Sequence, residues 1–399
     1  MSRLGADLAP IATERNDGLV TPRRLVQLTA FVSSLDRFVM PPMVVAMSHD
    51  LGLPLTQVMQ VTGVYLFAYG LMQPVWGLIS DRLGLVRMMR VTLLLAAGAT
   101  IASVLVPSTQ GLLVARGLAG VGFSAAIPAS LVYVSDTVAA GKRQRELTDL
   151  VAVIALGAAV ASLGAGVLSH LSNWRIAFVV TGVSALLLVV KLGALAEPPR
   201  TRAHHHFLAP LAEVFRSRAT VLVLLLAVAE GAVLLGSLTY LPAAMESSGA
   251  NASIAGAITA IYGVSVFGFA RVANYLSRRH VSPVKLIAMG GAAALVACIC
   301  AAISQKPLNA AVATALIGMA WVFLHSTLQT WATEVLPSAR PTVVALFGSG
   351  LFVGSALAAV LVAGFAETNR YGDIFLLAAI LTVPLSVLGS RGRAKWSGT

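Results

Sequence analysis

The chain has 399 residues, of which 57% are apolar and 11% are charged, against about 25% charged in an ordinary soluble domain. A soluble core has no room for that much apolar surface, so the composition excludes a water-soluble globule and makes the bilayer the solvent. The net charge of +12 raises nucleic acid as a partner, but the placement of the charges argues against one.

A helix needs about 20 apolar residues to cross the hydrocarbon. The first 24 residues are polar and basic, so a cytoplasmic arm (1–24) is expected and no cleavable signal peptide. The first span, about 25–47, carries an adjacent acid and base, Asp36 and Arg37. The second, about 57–79, places Tyr65, Tyr69 and Gln73 on one face at a spacing of four. A basic loop follows, "GLISDRLGLVRMMR" from Gly77 to Arg90. The third span is about 88–107, and the fourth, about 109–135, contains Arg116 and ends near Asp136. The fifth and sixth are about 149–171 and 174–196.

A connection at about 197–218 includes three consecutive histidines, His204 to His206. A solvated loop explains them more simply than metal binding. The seventh span, about 219–242, holds Glu230; the eighth is about 252–274. The ninth, about 283–304, contains Cys298 and Cys300, whose apolar setting and spacing fit neither a disulfide framework nor a metal site. The tenth, about 308–334, puts Trp321, His325 and Gln329 on one face. Spans at about 342–364 and 372–390 and a tail (391–399) complete the chain. The runs are continuous rather than alternating, so they read as helices and not as a barrel.

With the N-terminus placed in the cytoplasm, 22 of the 28 Lys and Arg fall on the cytoplasmic side, and only Arg175, Lys306 and Arg370 fall in outer loops. That asymmetry sets both termini inside. The high positive charge is thus a topology signal, and no nucleic-acid partner is expected. The halves also echo each other: "YVSDTVAAGK" (133–142) aligns with "WATEVLPSAR" (331–340), and "NWRIAF" (173–178) with "RYGDIF" (370–375), at offsets of 198 and 197. The expected fold is all-α, with twelve transmembrane helices in two pseudo-symmetric six-helix bundles, 25–196 and 219–390.

The loop from Gly77 resembles the signature of the major facilitator superfamily between helices 2 and 3. Gly77, Asp81, Arg82, Gly84, Arg87 and Arg90 fit its pattern, while Leu85 and Val86 stand where the family often has basic residues. The glycines suit a tight turn and close packing. The resemblance implies a cytoplasmic gate in which Asp81 meets the positive start of helix 11, near Pro341, with Gly77, Arg82, Gly84, Arg87 and Asp136 as further gate residues. In the second half only a trace of the motif remains, with Asn274 in place of the acid and Ser277 in place of the second glycine.

"RGLAGVGFSAA" from Arg116, with Gly120 and Gly122, resembles the helix 4 motif of the drug/proton antiporter branch. In that branch the arginine lies near the proton site. Helix 5 of that branch carries Gly-Pro, whereas this chain has Ala161 and Ser162. Small residues at Gly157, Ala161 and Ala165 still permit close helix approach.

In the superfamily helices 1, 4, 7 and 10 line the central cavity. Asp36, Arg37, Arg116, Glu230 and His325 lie on those four helices, and a charge at mid-bilayer costs about 2.5–3.5 kcal/mol. They are therefore candidates for proton coupling. By the repeat offset Glu230 lies one turn, about 5.4 Å, to the cytoplasmic side of Asp36. Tyr65, Tyr69, Gln73, Trp321 and Gln329 are candidates for solute contact.

There is no Walker-type loop, so neither ATP drive nor any other cofactor is expected. The expected function is secondary transport of a small organic solute across a bacterial cytoplasmic membrane by a monomer in contact with lipid and protons. Efflux is the first reading and proton-coupled uptake the second. A membrane enzyme would need a converging nucleophile and base, and a sensor an added soluble module.

Overall fold

The computed structural model describes residues 21–106, 108–198 and 208–396; His204 to His206 lie outside them. All regular structure among the described residues is helical. In chain order the long helices are α1 (Pro22–Leu51), α2 (Leu55–Leu83), α3 (Leu85–Leu105), α4 (Thr109–Thr137), α5 (Ala140–Leu171), α6 (Arg175–Ala194), α7 (Arg218–Ser247), α8 (Ala252–Arg278), α9 (Pro283–Ile303), α10 (Pro307–Glu334), α11 (Pro337–Leu361) and α12 (Tyr371–Lys395).

Among the described residues eleven are long and apolar enough to cross a membrane. The helix that falls short of the expected twelve is α2. Its 29 residues give it the length, but Gln57, Gln60, Gln73 and Pro74 dilute its apolar character.

Local chemistry sets the boundaries. Thr21, Ser108, Ser217 and Asn251 each accept a backbone N–H of the first helical turn, as N-cap side chains do. Pro22, Pro283 and Pro307 occupy the first turn, where a missing N–H costs nothing. Pro41 and Pro42 tighten α1 into a 3₁₀ turn between two helical stretches. The expected tail at 391–399 is helical as far as Lys395, because Arg393 and Lys395 suit a helix C-terminus. The connection at 197–218 holds a short helix, Leu208–Arg216.

The repeated stretches fall at matching places, at the ends of α4 and α10 and at the starts of α6 and α12. The two halves of the chain meet chiefly along α5–α8 and α2–α11. Their close approaches crowd toward the side away from the termini. There the Pro41–Met43 turn packs on α5, α7 and α8, and a short helix, Ala363–Glu367, packs on α2. There too a Cβ at Gly63 of α2 would come within 2.5 Å of the Val360 side chain of α11. Toward the terminal side, α2 and α11 are still in touch where Ser349 donates to the Gly70 carbonyl (2.8 Å) and Gln73 lies beside Gly348. Two turns further on, Asp81 is exposed. The molecule is closed on the far side and parted on the side of the termini.

Candidate functional site

Asp36 of α1 and Arg116 of α4 form a bidentate ion pair at 2.8 and 3.2 Å, and both side chains are fully buried. Thr100 of α3 and Thr181 of α6 also donate to the Asp36 carboxylate, at 3.3 and 3.4 Å. The Arg116 guanidinium lies between the rings of Tyr65 and Phe178, 4.6 and 4.5 Å from their centroids. Such a site pays heavily for desolvation, and the bidentate geometry and the aromatic faces offset that cost.

The glycines after Arg116 make the seal possible. A Cβ at Gly120 would come within 2.4 Å of the Tyr65 carbonyl oxygen, and one at Gly122 within 2.6 Å of the α3 backbone. Only glycine lets α4 approach α2 and α3 this closely. Five helices thus converge on one neutral pair.

The second charged group lies in the other half. Glu230 of α7 is fully buried, and His325 of α10 brings Nδ1 within 3.3 Å of its Oε1. Neither carboxylate oxygen has a hydrogen-bond partner among the described residues. The His325 ring stacks on Trp321 at 3.9 Å and faces Phe347. Both helices turn π-helical at this point, over Gly231–Leu235 and Trp321–His325. Single π turns inside α-helices recur at functional positions. A Cβ at Gly231 would lie 1.8 Å from the Leu351 carbonyl oxygen, so α7 and α11 cross with their backbones nearly touching.

The candidates on the cavity helices therefore form two clusters rather than one chain of acids. Asp36 and Arg116 are brought together, as are Glu230 and His325. Among the described residues no hydrogen bond or ion pair joins the two clusters. Arg37 belongs to neither. It is half-buried, has no ion-pair partner among the described residues, and lies over the rings of Phe38, Tyr69 and Phe352 at 4.8–5.8 Å.

The aromatic candidates mostly hold these groups. Tyr65 covers Arg116, Tyr69 packs on Phe352 at 4.6 Å, and Trp321 covers His325. Gln73 abuts α11, while Gln329 is exposed.

The loop motif differs from expectation in two ways. Gly77 lies inside α2 with open space around it, so it neither turns the chain nor packs closely. The turn is made by Gly84, at φ +98°. Asp81, Arg82 and Asp136 are exposed, and Asp81 has no hydrogen-bond or ion-pair partner among the described residues. In this conformation the α2–α11 contact ends before it reaches Asp81. The acid that does serve the loop is Glu197, whose carboxylate accepts the backbone N–H of Val86 (3.0 Å) and Arg87 (2.9 Å), capping α3. Arg90 adds a bond to the Val189 carbonyl of α6 at 3.1 Å. Sequence reading does not single out Glu197, Thr100 or Thr181. Only Glu197 carries a signal, an acid just before the Pro-Pro pair at the end of an apolar span.

A multi-pass bundle of apolar helices, with buried acid–base pairs along its interior, is the architecture of a membrane solute transporter. Residues 27–359 match the Major Facilitator Superfamily, and the chain belongs to that family. It is therefore a transporter embedded in a membrane and not an enzyme.

Among curated proteins, a triacylglyceride transporter of Mycolicibacterium hassiacum is 27% identical over 46% of this chain and 36% of its own length. A probable triacylglyceride transporter of Mycobacterium leprae is 28% identical over 42% of this chain and 35% of its own length. The chain thus matches only about a third of the length of each. Among solved structures, a point mutant of the nucleoside transporter NupG shares the fold at a TM-score of 0.77 and 14% identity, covering 93% of this chain and 99% of that one. A bacterial homolog of the human lysosomal transporter Spinster, inward-facing and occupied, does so at 0.74 and 17%, covering 96% of this chain and 100% of that one.

Proposed function

We propose that this transporter is a proton-coupled exporter of amphipathic, lipid-like solutes, built like the drug/proton antiporter branch of its family. The observation that carries the reading is the pair of sealed clusters, Asp36–Arg116 in one half and Glu230–His325 in the other. Each joins an acid to a basic partner on cavity helices, and each acid is fully buried. A buried carboxylate that exchanges a proton must trade partners as it does so, and that exchange biases which side of the bundle is open. The triacylglyceride naming of the curated relatives favours a lipid-like cargo, as do the leucines and methionines around the interior.

In this reading α2 is the twelfth span. The bundles are 25–196 and 219–390, both termini are cytoplasmic, and the protein is a monomer in a bacterial cytoplasmic membrane. The parted side then faces the cytoplasm. When it closes, Asp81 reaches the start of α11, with Gly77, Arg82, Gly84, Arg87 and Asp136 shaping that rim.

The test is transport in proteoliposomes under an imposed pH gradient, screened over neutral glycerides, charged amphiphiles and cationic drugs. Accumulation driven by the gradient supports the reading. Movement of every solute at the same rate with and without the gradient contradicts it.

A further inference from the structure

On the far side of the Asp36 level a small cavity, of about 30 Å³, opens between α1, α2, α7 and α11. Its walls are largely apolar and include Leu66, Leu235 and Leu238; Arg37, Thr62, Tyr65, Thr239 and Ser355 are the polar residues that line it. Arg37 Nε, the Tyr65 hydroxyl and the Ser355 hydroxyl are buried, and none has a hydrogen-bond partner among the described residues. Tyr65 is 1% exposed and Ser355 0%. Other hydroxyls on the wall are already used, since Thr62 donates to the Val58 carbonyl and Thr239 to that of Leu235. Buried polar groups are normally paired, so three orphans around one space call for a partner.

The charge around the cavity identifies that partner. Asp36 and Arg116 neutralise each other, and Glu230 lies against His325 and is not part of this wall. The Arg37 guanidinium keeps a full positive charge, flanked by aromatic faces and opposed by no carboxylate among the described residues. One water fits a space of this size and satisfies hydroxyls, but it does not neutralise a guanidinium. An anionic oxygen group supplies both the opposing charge and hydrogen-bond acceptors.

We infer that Arg37, Tyr65 and Ser355 form the head-group subsite for an amphipathic anion, a carboxylate or a phosphate, whose apolar tail lies along the leucine wall. The inference rests on the transporter reading and narrows its substrate class. Neutral glycerides lack the recognised group. The space as it stands holds about one water, so the helices around it must move apart to admit the head group and its tail.

The test is equilibrium binding to the purified full-length protein, with octanoate and octyl phosphate as anionic probes and octanol as the neutral control. The parent binds at least one anion and prefers it to octanol, and which anion it prefers separates carboxylate from phosphate recognition. Arg37→Gln weakens that binding by at least about tenfold. Tyr65→Phe and Ser355→Ala each weaken it by about two- to tenfold, while octanol binding stays at the parental level. Arg37→Lys, which keeps the charge and controls for folding, loses less than Arg37→Gln. Equal binding of octanol and the anions by the parent overturns the inference, as does parental anion affinity in Arg37→Gln. Gradient-driven transport of a neutral amphiphile by a protein that binds no anion also overturns it, and leaves the transporter reading standing.

Discussion

Replacing Asp36 with Asn removes the carboxylate charge and keeps the shape. Arg116 then remains fully buried with no anion. Its two charge-assisted bonds to Asp36, at 2.8 and 3.2 Å, become at best weak contacts with an amide oxygen. Breaking one partner of a buried pair costs about 3–5 kcal/mol. Thr100 and Thr181 do not compensate, because they donate hydrogen bonds and offer no charge. Asp36→Asn therefore lowers thermal stability, and Arg116→Gln lowers it comparably. The double variant recovers most of the loss, because it leaves no unpaired charge. Thermal unfolding of the four purified proteins in one detergent closes the cycle, with an expected coupling of about 1.5–7 kcal/mol for a close charge pair. Additive losses in the double variant would refute mutual neutralisation as the reason these residues are buried together.

Other changes test separate parts of the structure. Gly120→Ala puts a methyl group against the Tyr65 carbonyl at 2.4 Å, so α4 must shift. Stability falls by about 1–3 kcal/mol, measurable as a lower unfolding temperature, and an unchanged value refutes the close crossing. Glu197→Ala removes the cap on α3 and costs about 1 kcal/mol, whereas Glu197→Gln keeps an acceptor and costs less; hydrogen exchange at Val86 and Arg87 reports the fraying. Asp81→Asn leaves stability within error, since the side chain is exposed and unpartnered among the described residues, but it lowers transport turnover because the closed state loses its charge contact. Equal turnover in parent and variant removes Asp81 from the gate.

The sequence discloses the long helices through their length and apolarity, and their starts through Thr21, Ser108, Ser217, Asn251 and the first-turn prolines. It discloses Arg116 with its glycines because close packing needs Gly at fixed spacing. It does not disclose how the charges pair. Asp36 and Glu230 look alike along the chain, and only the packing of α3, α4 and α6 gives one of them two threonines and an arginine. The π turns are also invisible, because nothing in Gly231–Leu235 or Trp321–His325 departs from an ordinary helical pattern. The Gly77 expectation fails for a simpler reason. A polar, basic stretch looks like a loop, yet α2 runs on as helix to Leu83 because its last turns need no apolar face once they leave the hydrocarbon. Asp81 draws attention through its motif, while Glu197, which makes the actual contact in this conformation, sits 111 residues from Val86.

The central claim is that a buried carboxylate carries a proton when solute moves. It is tested most directly by proton flux into proteoliposomes on addition of a transported solute, for the parent, Asp36→Asn and Glu230→Gln. A neutral amide mimics the protonated acid but does not cycle. The account predicts solute-dependent proton flux in the parent, loss of that flux in at least one acid variant, and solute binding retained in that variant. Parental proton flux in both acid variants would contradict it.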